Sequence, residues 1–397
     1  MSTNEEMVEE FVATRGLSKA SHKSFKYTLK HYCNFQGCSL QELIDEADFE
    51  EEQQIRWKKR KLKKRLVNYM NFCKDTLTIN SAKHHLKLVK IFYHHHDIEI
   101  HKLPPFNEKN AKVRNPITPK DLPTREILQE AVEIAEPLMK ALILFLVSSG
   151  MSKIDARNLT IQNFLDATSK YHNDSKDLKT AIKLMKEYDG EIIPIWNSRR
   201  QKTKKFFVTF NTDEATRHII SYLELRDERL KNNYYNPKDE LEPSDKLFKI
   251  STDYFTLKFK ELNNALGLGT AGGNPEENIK GFNRLRAHML RKYHATNLKK
   301  FGMDTYSINV LQGKSNGSVN DVYFFEDEET LLEEYIKAIE GVLILTDVKE
   351  HNRYSPEFIK MEKENEEYKE KIDRITDEIN SLKNQHHHFM LHPDTFF

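Results

Sequence analysis

The sequence predicts a mainly α-helical protein with one small β-sheet (an α+β fold), and three observations support this fold class. Charged residues make up 31% of the 397 residues and hydrophobic residues 38%, a composition typical of helices with solvated outer faces. Only 13 Gly and 12 Pro are present, too few for an all-β chain with many turns. Apolar residues recur mostly at spacings of three and four, which is the helical period.

The first 106 residues are predicted to form a helical domain. One helix begins after Ser18, a suitable N-cap, and two more are predicted over residues 55–73 and 81–96. Their apolar side chains fall on one face of each helix. The residues expected to face inward are Phe25, Leu29, Tyr32, Phe35, Leu62, Leu66, Tyr69, Phe72 or Cys73, Leu86, Val89 and Tyr93.

Residues 107–123 have the composition of a linker, with three prolines and several basic side chains, which favours an extended, cationic segment. A second domain is predicted over residues 124–345. It begins with a largely buried helical pair around "ALILFLVSSGM". That apolar run is too short to cross a membrane, so no membrane partner is expected.

The hydrophobic period changes to two near residue 193, which predicts a β-hairpin with the basic stretch "SRRQKTKK" at its turn. The apolar strand residues are Ile193, Ile195, Phe207, Val208 and Phe210. Helices are predicted to follow over residues 213–231, 252–265, 284–300 and 304–312.

The tail, residues 346–397, is predicted to contain a long helix or coiled coil. From Phe358 to Leu382 the apolar positions alternate between spacings of three and four, as in a heptad seam. Asn365 at an a position is typical of parallel dimers, so the tail either pairs with another copy or folds back on its own chain.

The charge is distributed unevenly along the chain. From Glu326 to the end there are 19 acidic and 9 basic residues, a net charge of −10, while the preceding 325 residues carry 53 basic and 42 acidic residues, a net charge of +11. A basic body suggests a polyanionic partner. Three cysteines without a CxxC pair favour a reducing, cytoplasmic environment.

Two stretches suggest chemistry on phosphate. In "RLRAHMLRKYHATNL", His288 and Arg291 lie three residues apart on one helical face. An H-x-x-R pair alone is weak evidence, because about one is expected by chance in this composition. In "LQGKSNGSVNDVYFF", however, Lys314 follows Arg291 by 23 residues and Tyr323 follows Lys314 by nine.

This spacing resembles the tyrosine recombinase (phage integrase) family, and the style of the sequence is most similar to archaeal integrases. The residues that match its H-x-x-R, L-G-H/W and tyrosine signature are His288, Arg291, Leu311, Gly313 and Tyr323. The resemblance implies a helical, SAM-like core-binding domain in residues 1–106 and a catalytic domain in residues 124–345.

The resemblance also implies a site-specific DNA recombinase. Tyr323 would be the nucleophile that forms a 3′-phosphotyrosyl link, and Arg291, His288 and Lys314 would bind the phosphate. Lys202 at the hairpin turn would protonate the leaving oxygen, with Lys204 as the alternative. No metal, ATP or other cofactor is expected. The implied partner is double-stranded DNA with attachment-type sites, on which protomers would form a tetrameric synapse.

Two positions depart from the family pattern. Lys314 stands where the family usually has His or Trp, and Ser152, in "SGMSKIDARNL", stands where the first catalytic arginine belongs. Arg157 is favoured as the substitute; Lys153, or no substitute, remains open. On a helix, Lys153 and Arg157 would share a face as an i, i+4 pair.

Further basic residues are predicted to contact DNA backbone phosphates. Eight of the ten residues from Arg56 to Arg65 are basic; a solvated helix face is the alternative explanation. The predicted DNA-binding residues are Lys58, Lys59, Lys61, Lys64, Lys112, Arg114 and Lys204.

Two further predictions concern metal binding by the histidines and the alternative functions of the protein. The clusters His84–His85, His94–His96 and His386–His388 do not have metal-ligand spacing, so no metal site is predicted. The alternatives to a recombinase are a catalytically impaired, DNA-binding relic of the family and a DNA-relaxing topoisomerase of the same mechanism.

Overall fold

A computed structural model describes residues 4–108, 111–232, 240–316 and 327–345. The chain divides into two compact units: a first unit of residues 1–117 with 270–282, and a second unit of residues 118–269 with 283–397. Helices dominate both units, and the described strands form two small two-stranded sheets, which confirms the predicted fold class. The domain boundaries predicted from the sequence remain a prediction.

The described residues of the first unit form five α-helices: α1 (Asn4–Thr14), α2 (Lys19–Gln36), α3 (Leu40–Glu52), α4 (Lys61–Thr76) and α5 (Ile79–His95). The Ser18 hydroxyl accepts a hydrogen bond from the Ser21 amide and caps α2, as predicted. Ser39 and Glu42 form a reciprocal capping box that starts α3. Neither α1 nor α3 was predicted from the sequence.

The core of the first unit contains most of the side chains that were predicted to face inward. Phe25, Leu29, Tyr32, Leu62, Leu66, Tyr69, Cys73, Val89 and Tyr93 are buried. The Tyr32 and Tyr93 hydroxyls share a hydrogen bond of 3.1 Å inside this core. From the unpredicted α1, Phe11 adds edge-on ring contacts to Phe25 and Phe92.

The predicted helix over residues 55–73 is wrong at its start, because α4 begins only at Lys61. The Arg60 side chain, which is buried, donates to Glu51 at 2.6 Å and to the Ile55 carbonyl at 2.9 Å. Glu50 accepts the amide hydrogen of Lys61 at 2.6 Å. A carboxylate at this position satisfies amides that a helix start leaves free, and so fixes where the helix begins.

The linker segment in the first unit packs against the loop of residues 270–282. Arg114 donates to the Lys280 carbonyl at 2.6 Å, and its guanidinium lies 4.3 Å from the ring centroid of Phe282. Asn115 donates to the Gly273 carbonyl at 2.7 Å. These contacts explain why the loop belongs to the first unit, although it lies far from that unit in sequence.

The elements after the linker are, in chain order, α6 (Arg125–Ile134), α7 (Pro137–Ser149), α8 (Lys153–Asn158), α9 (Ile161–Ala167), α10 (Leu178–Glu187), β1 (Ile195–Arg199), β2 (Phe206–Phe210), α11 (Asp213–Lys231), α12 (Thr252–Ala265), β3 (Thr270–Ala271), β4 (Phe282–Asn283), α13 (Ala287–Lys300), α14 (Thr305–Leu311) and α15 (Glu328–Ala338).

Helix α7 is the centre of the second unit. From Ala141 to Ser149 every residue is buried, as expected for an apolar run flanked by other helices. It packs against α6, α11 and α13. This packing fixes the C-terminal end of α7 and the N-terminal half of α13 next to each other.

The predicted hairpin is present, with β1 and β2 antiparallel. Ile195 pairs with Phe210 at the base, and Arg199 pairs with Phe206 beside the turn. Trp196 is buried and meets the Phe145 ring edge-on at 5.2 Å. The hairpin is therefore anchored in the core at its base, while its basic turn, residues 200–205, lies beyond the strands.

Helix α15 and the residues after it are held by the second unit. Tyr335 is buried and donates its hydroxyl to the Ser148 carbonyl at 3.0 Å. Both oxygens of Glu214 accept amide hydrogens, from Ile344 at 2.7 Å and from Leu345 at 2.8 Å. Ile344 and Leu345, the last two described residues, are thus held to Glu214 of α11.

Two predictions concern the remaining sequence. The coiled coil predicted for residues 346–397 lies outside the described residues. Among the helices of the described ranges, none combines the length and the apolar character that a membrane span requires.

Candidate functional site

The candidate site is built around Arg291 on α13. This side chain is 8% exposed. Its two terminal nitrogens donate to main-chain carbonyls: Nη1 to Gly150 at 2.6 Å and Nη2 to Gln312 at 2.5 Å. The guanidinium is therefore held from the end of α7 on one side and from the end of α14 on the other.

Gly150 allows this close approach. It ends α7 with φ +61°, a left-handed conformation that favours glycine. A Cβ atom here would lie 2.6 Å from Nδ1 of His294, whose ring is fully buried beneath it. Gln312 completes the support, because its side-chain nitrogen donates to the Arg291 carbonyl at 2.9 Å and lies 3.0 Å from His294 Nδ1.

A second arginine, Arg200, lies beside Arg291. It follows β1 and donates from Nη1 to the Gly313 carbonyl at 2.7 Å. Burial, followed by the neighbouring charge of Arg200, lowers the pKa of Arg291 to about 10, and the charge of Asp155 opposes this shift. Two like charges in a partly desolvated position are unfavourable unless an anion joins them.

Asp155 attaches the hairpin turn to α8. It is buried, and its two oxygens accept from the Gln201 amide at 2.9 Å and from the Ser152 hydroxyl at 2.6 Å. Ser152 in turn caps α8 by accepting from the Asp155 amide. The residue that replaces the expected arginine is thus a helix cap, and it helps to position the turn that carries Arg200.

Lys314 follows α14 and joins the same group of charges. Its amide bonds the Asn309 carbonyl at 2.8 Å. Burial lowers the pKa of Lys314, and Arg291 and Arg200 lower it further. The preceding Gly313 has φ +59° and no room for a Cβ atom, which would lie 2.9 Å from the Phe207 ring. The turn therefore packs tightly against β2.

His288 lies one helical turn before Arg291 and is exposed. Although part of this side chain is open to solvent, desolvation by the surrounding protein lowers the pKa of His288. The nearby positive charges of Arg286, Lys292, Arg291 and Lys314 lower it as well. Since an ordinary histidine titrates near pH 6.5, His288 is mostly neutral at pH 7. A neutral imidazole can accept a proton there.

The two candidate lysines of the hairpin lie at its turn. Lys202 is exposed. Lys204 has φ +58°, and its amide donates to the Arg200 carbonyl at 2.8 Å, which closes the turn. The turn therefore presents Lys202 to solvent two residues after Arg200.

Arg157 and Lys153 are not placed beside Arg291 as the sequence suggested. Arg157 donates to the Ile250 carbonyl at 3.0 Å and to the Thr252 hydroxyl at 2.6 Å. Lys153 donates to the Thr252 carbonyl at 3.0 Å. The two side chains do share a helical face, as predicted, but that face is turned toward the start of α12.

Tyr323 lies outside the described residues, so its proposed role stays a prediction. The structure describes both sides of its segment. On one side, Asn316 is held by the Asn309 side chain at 2.8 Å. On the other, Asp327 caps α15 by accepting from the Thr330 amide at 2.7 Å.

The basic run of the first unit is divided between two environments. The four lysines predicted to bind DNA, Lys58, Lys59, Lys61 and Lys64, are exposed, as phosphate contact requires, and so is Arg56. Arg60 and Arg65 instead bond Glu51 and Glu46. Lys61 also lies 3.3 Å from Glu46, so it is the least available of the exposed group.

The linker cations are partly engaged within the first unit. The main-chain carbonyl of Lys112 accepts a hydrogen bond from the Ile79 amide at 2.9 Å, a bond that does not involve its side-chain cation. Arg114, as described, stacks on Phe282. Their assignment to DNA contact remains a prediction.

Another polar cluster lies in the first unit, around Tyr69. Its hydroxyl lies 2.9 Å from His31 Nδ1 and 3.1 Å from His85 Nδ1. The donor atoms of His31, His85 and Cys73 lie within 4.8 Å of one another. Sequence spacing did not bring Cys73 near these histidines. The Tyr69 hydroxyl lies within hydrogen-bond distance of both imidazoles.

Lowering the pH should destabilise the first unit through His85. Burial, followed by His31 and His84, lowers the pKa of His85 to about 4. Between about pH 6.5 and pH 4, His85 is therefore protonated in the unfolded chain but mostly neutral in the folded chain. The stability present at neutral pH should fall by about 3 kcal/mol at pH 4.

Urea unfolding followed by Trp57 fluorescence, in a Trp196→Phe background, measures this effect. The slope against pH should flatten in His85→Gln and persist in His101→Gln, whose histidine is exposed. An equal slope in both variants would assign the acid sensitivity to other groups.

Sequence reasoning missed Arg200, Gln312 and His294. Arg200 belongs to the basic stretch of the turn, and nothing distinguished it there from the neighbouring basic residues. The alternation of side chains along a strand could have placed it on the face of the hairpin opposite to the Arg199 side chain. No sequence pattern marked Gln312 or His294, because both support the site through contacts with residues far away in sequence.

No protein-family model matches the chain, and no curated protein matches it. Several solved structures are similar to it. The XerA recombinase structure has 18% identity and a TM-score of 0.31, covering 84% of this chain and 97% of that one. XerH recombinase bound to difH substrate, in a pre-cleavage complex, has 15% identity and a TM-score of 0.46 over 84% of each chain.

The Tn1549 transposon integrase in complex with circular intermediate DNA has 11% identity and a TM-score of 0.41, covering 84% of this chain and 98% of that one. These structures to which the chain is similar are site-specific recombinases and integrases.

Proposed function

We propose that this protein is a tyrosine-type site-specific DNA recombinase, which cuts and rejoins DNA strands through a 3′-phosphotyrosyl intermediate. The observation that carries the proposal is a group of cations in the second unit: Arg291 and Arg200 bond the adjacent carbonyls of Gln312 and Gly313, and Lys314 and His288 are the next charged neighbours. Burial raises the energy of its positive charges, and a phosphodiester is an anion that would compensate them.

The proposed cleavage step needs a nucleophile, a base and an acid. The Tyr323 oxygen attacks the phosphorus and its phenolic proton passes to a base, for which neutral His288 is suited. The bond between phosphorus and the 5′-oxygen breaks, and Lys202 donates a proton to that oxygen. Arg291 stabilises the charge that develops on the non-bridging oxygens. The phosphotyrosyl bond retains the energy needed for rejoining.

A DNA substrate with a nick near the cleavage point tests the proposal. The short fragment that ends in the new 5′-hydroxyl diffuses away, so the covalent intermediate accumulates and is seen as a protein–DNA band after denaturation. Relaxation of supercoiled plasmids of any sequence would instead favour a topoisomerase.

One observation favours a DNA-binding relic. Ser152, in place of the family's first arginine, is engaged as a helix cap and carries no charge. A protein that binds the nicked substrate tightly but forms no covalent band would support that alternative.

DNA binding should depend steeply on salt through the exposed lysines of the first unit. Each phosphate contact contributes about −0.9 to the slope of log K against log salt. Changing Lys58, Lys59, Lys61 and Lys64 together to Gln should flatten the slope by about 2 to 3, because Lys61 is partly neutralised by Glu46. Fluorescence anisotropy of labelled duplex DNA over a salt series measures it.

The matched control removes the same number of charges elsewhere. Lys179, Lys183, Lys186 and Lys231 pair with carboxylates in a groove between α10 and α11. Their replacement by Gln should leave the slope nearly unchanged. An equal effect of both quadruple variants would mean that net charge alone, and not the first unit's lysines, sets the salt dependence.

A further inference from the structure

We infer that Arg200 is a second phosphate-binding arginine of the candidate site, acting on the same scissile phosphodiester as Arg291. This inference rests on the proposed function. Arg200 would supply the positive charge that the family pattern places where this chain has Ser152. That charge would come from the β-hairpin instead of from α8.

Geometry is the first support. Arg200 uses Nη1 to bond the Gly313 carbonyl at 2.7 Å, and its Nε is buried without a hydrogen-bond partner among the described residues. Its acceptor, Gly313, stands between Gln312, whose carbonyl binds Arg291, and Lys314. A buried guanidinium N–H without an acceptor is costly, and an anionic oxygen would satisfy it.

Charge is the second support. The carboxylate near the two arginines, Asp155, is already bonded to the Ser152 hydroxyl and the Gln201 amide. It therefore fixes the turn more than it neutralises the arginines. A cation cluster that keeps an excess of positive charge after folding is suited to a phosphate.

The third support is the position of the rival residues. Arg157 and Lys153 bond Thr252 at the start of α12. A phosphate held by Arg291 would require both side chains to leave these contacts. Arg200 needs no such movement, because it already bonds Gly313, the residue next to the Gln312 carbonyl that holds Arg291.

Single-turnover cleavage of the nicked substrate tests the role of Arg200. Arg200→Ala should lower the rate about a hundredfold. Arg229→Ala is the matched control, since it removes the same charge from an exposed position on α11, away from the hairpin turn. It should cleave at nearly the normal rate, and Arg157→Ala should lose far less than Arg200→Ala.

A methylphosphonate at the scissile position separates phosphate contact from a structural role. This group lacks the charged oxygen, so Arg200→Ala should lose little rate on it compared with the unaltered protein. If Arg200 only supported the Gly313 turn, both substrates would lose rate equally, and that outcome would overturn the inference.

Binding of inorganic phosphate tests the same residue without cleavage. Isothermal titration should show weaker phosphate binding in Arg200→Ala, by at least about tenfold, than in Arg229→Ala. Equal affinities would reject the inference even if DNA is cleaved. Normal phosphate binding with no covalent band from the unaltered protein would instead reject the proposed function and leave Arg200 as an anion-binding residue.

Discussion

Replacing Tyr323 with Phe should abolish the covalent protein–DNA adduct while DNA affinity stays within a few fold. The substitution removes one oxygen, the atom that would attack the phosphorus, and leaves the ring in place. Its motivation is sequence spacing, since Tyr323 follows Lys314 by nine residues and Arg291 by 32. The measurement is the denaturation-resistant band formed with the nicked substrate.

The control removes a different phenol from the same region. Tyr306→Phe, on α14, should form the adduct at the normal rate, because the nine-residue spacing from Lys314 belongs to Tyr323. An adduct formed by Tyr323→Phe would assign the nucleophile to another residue, which peptide mapping of the labelled adduct would identify.

Arg291→Ala should lower single-turnover cleavage by about a thousandfold, at the upper end of what removal of one transition-state donor costs. Arg291 is buried and fixed by two carbonyls, so another side chain cannot easily take its place. Arg291→Lys should recover only part of the rate, because a lysine cannot bond both Gly150 and Gln312 while also contacting a phosphate.

The substitution also has a structural cost, which must be measured separately. Losing one partner for each carbonyl should cost about 1–3 kcal/mol of stability. Arg226→Ala is the matched control, because Arg226 also bonds main-chain carbonyls, those of Lys246 and Leu247. Both variants should melt earlier, but only Arg291→Ala should lose cleavage. Equal cleavage by the two would remove Arg291 from the chemistry.

The longest elements were predictable because local sequence decides them. Helices α11 and α12 begin and end where the pattern placed them, and the hairpin was predicted from its change of period. Helix α13 begins three residues late, because Arg286 has φ −164° and ψ 155°, an extended conformation. Helices α1 and α3 were missed, since their apolar residues are few and lie among acidic ones.

The site was predictable only in part, for a related reason. Spacing along the chain identified Arg291, His288 and Lys314, which the structure brings together. It could not show that α12 would offer Thr252 to Arg157, nor that a strand end would bring Arg200 to Gly313. Contacts between distant segments decided both, and single-sequence patterns carry no information about them.

The way in which the two arginines are held has a consequence for how substrate reaches them. Gly150, Gln312 and Gly313 fix them through peptide carbonyls, which orient a guanidinium without cancelling its charge. A carboxylate bonded directly to them would have neutralised them, whereas the oxygens of the nearby Asp155 are bonded to Ser152 and Gln201. Here the field extends outward and fades over about 8 Å at physiological ionic strength. A passing duplex would thus be drawn in phosphate first, before any base is read.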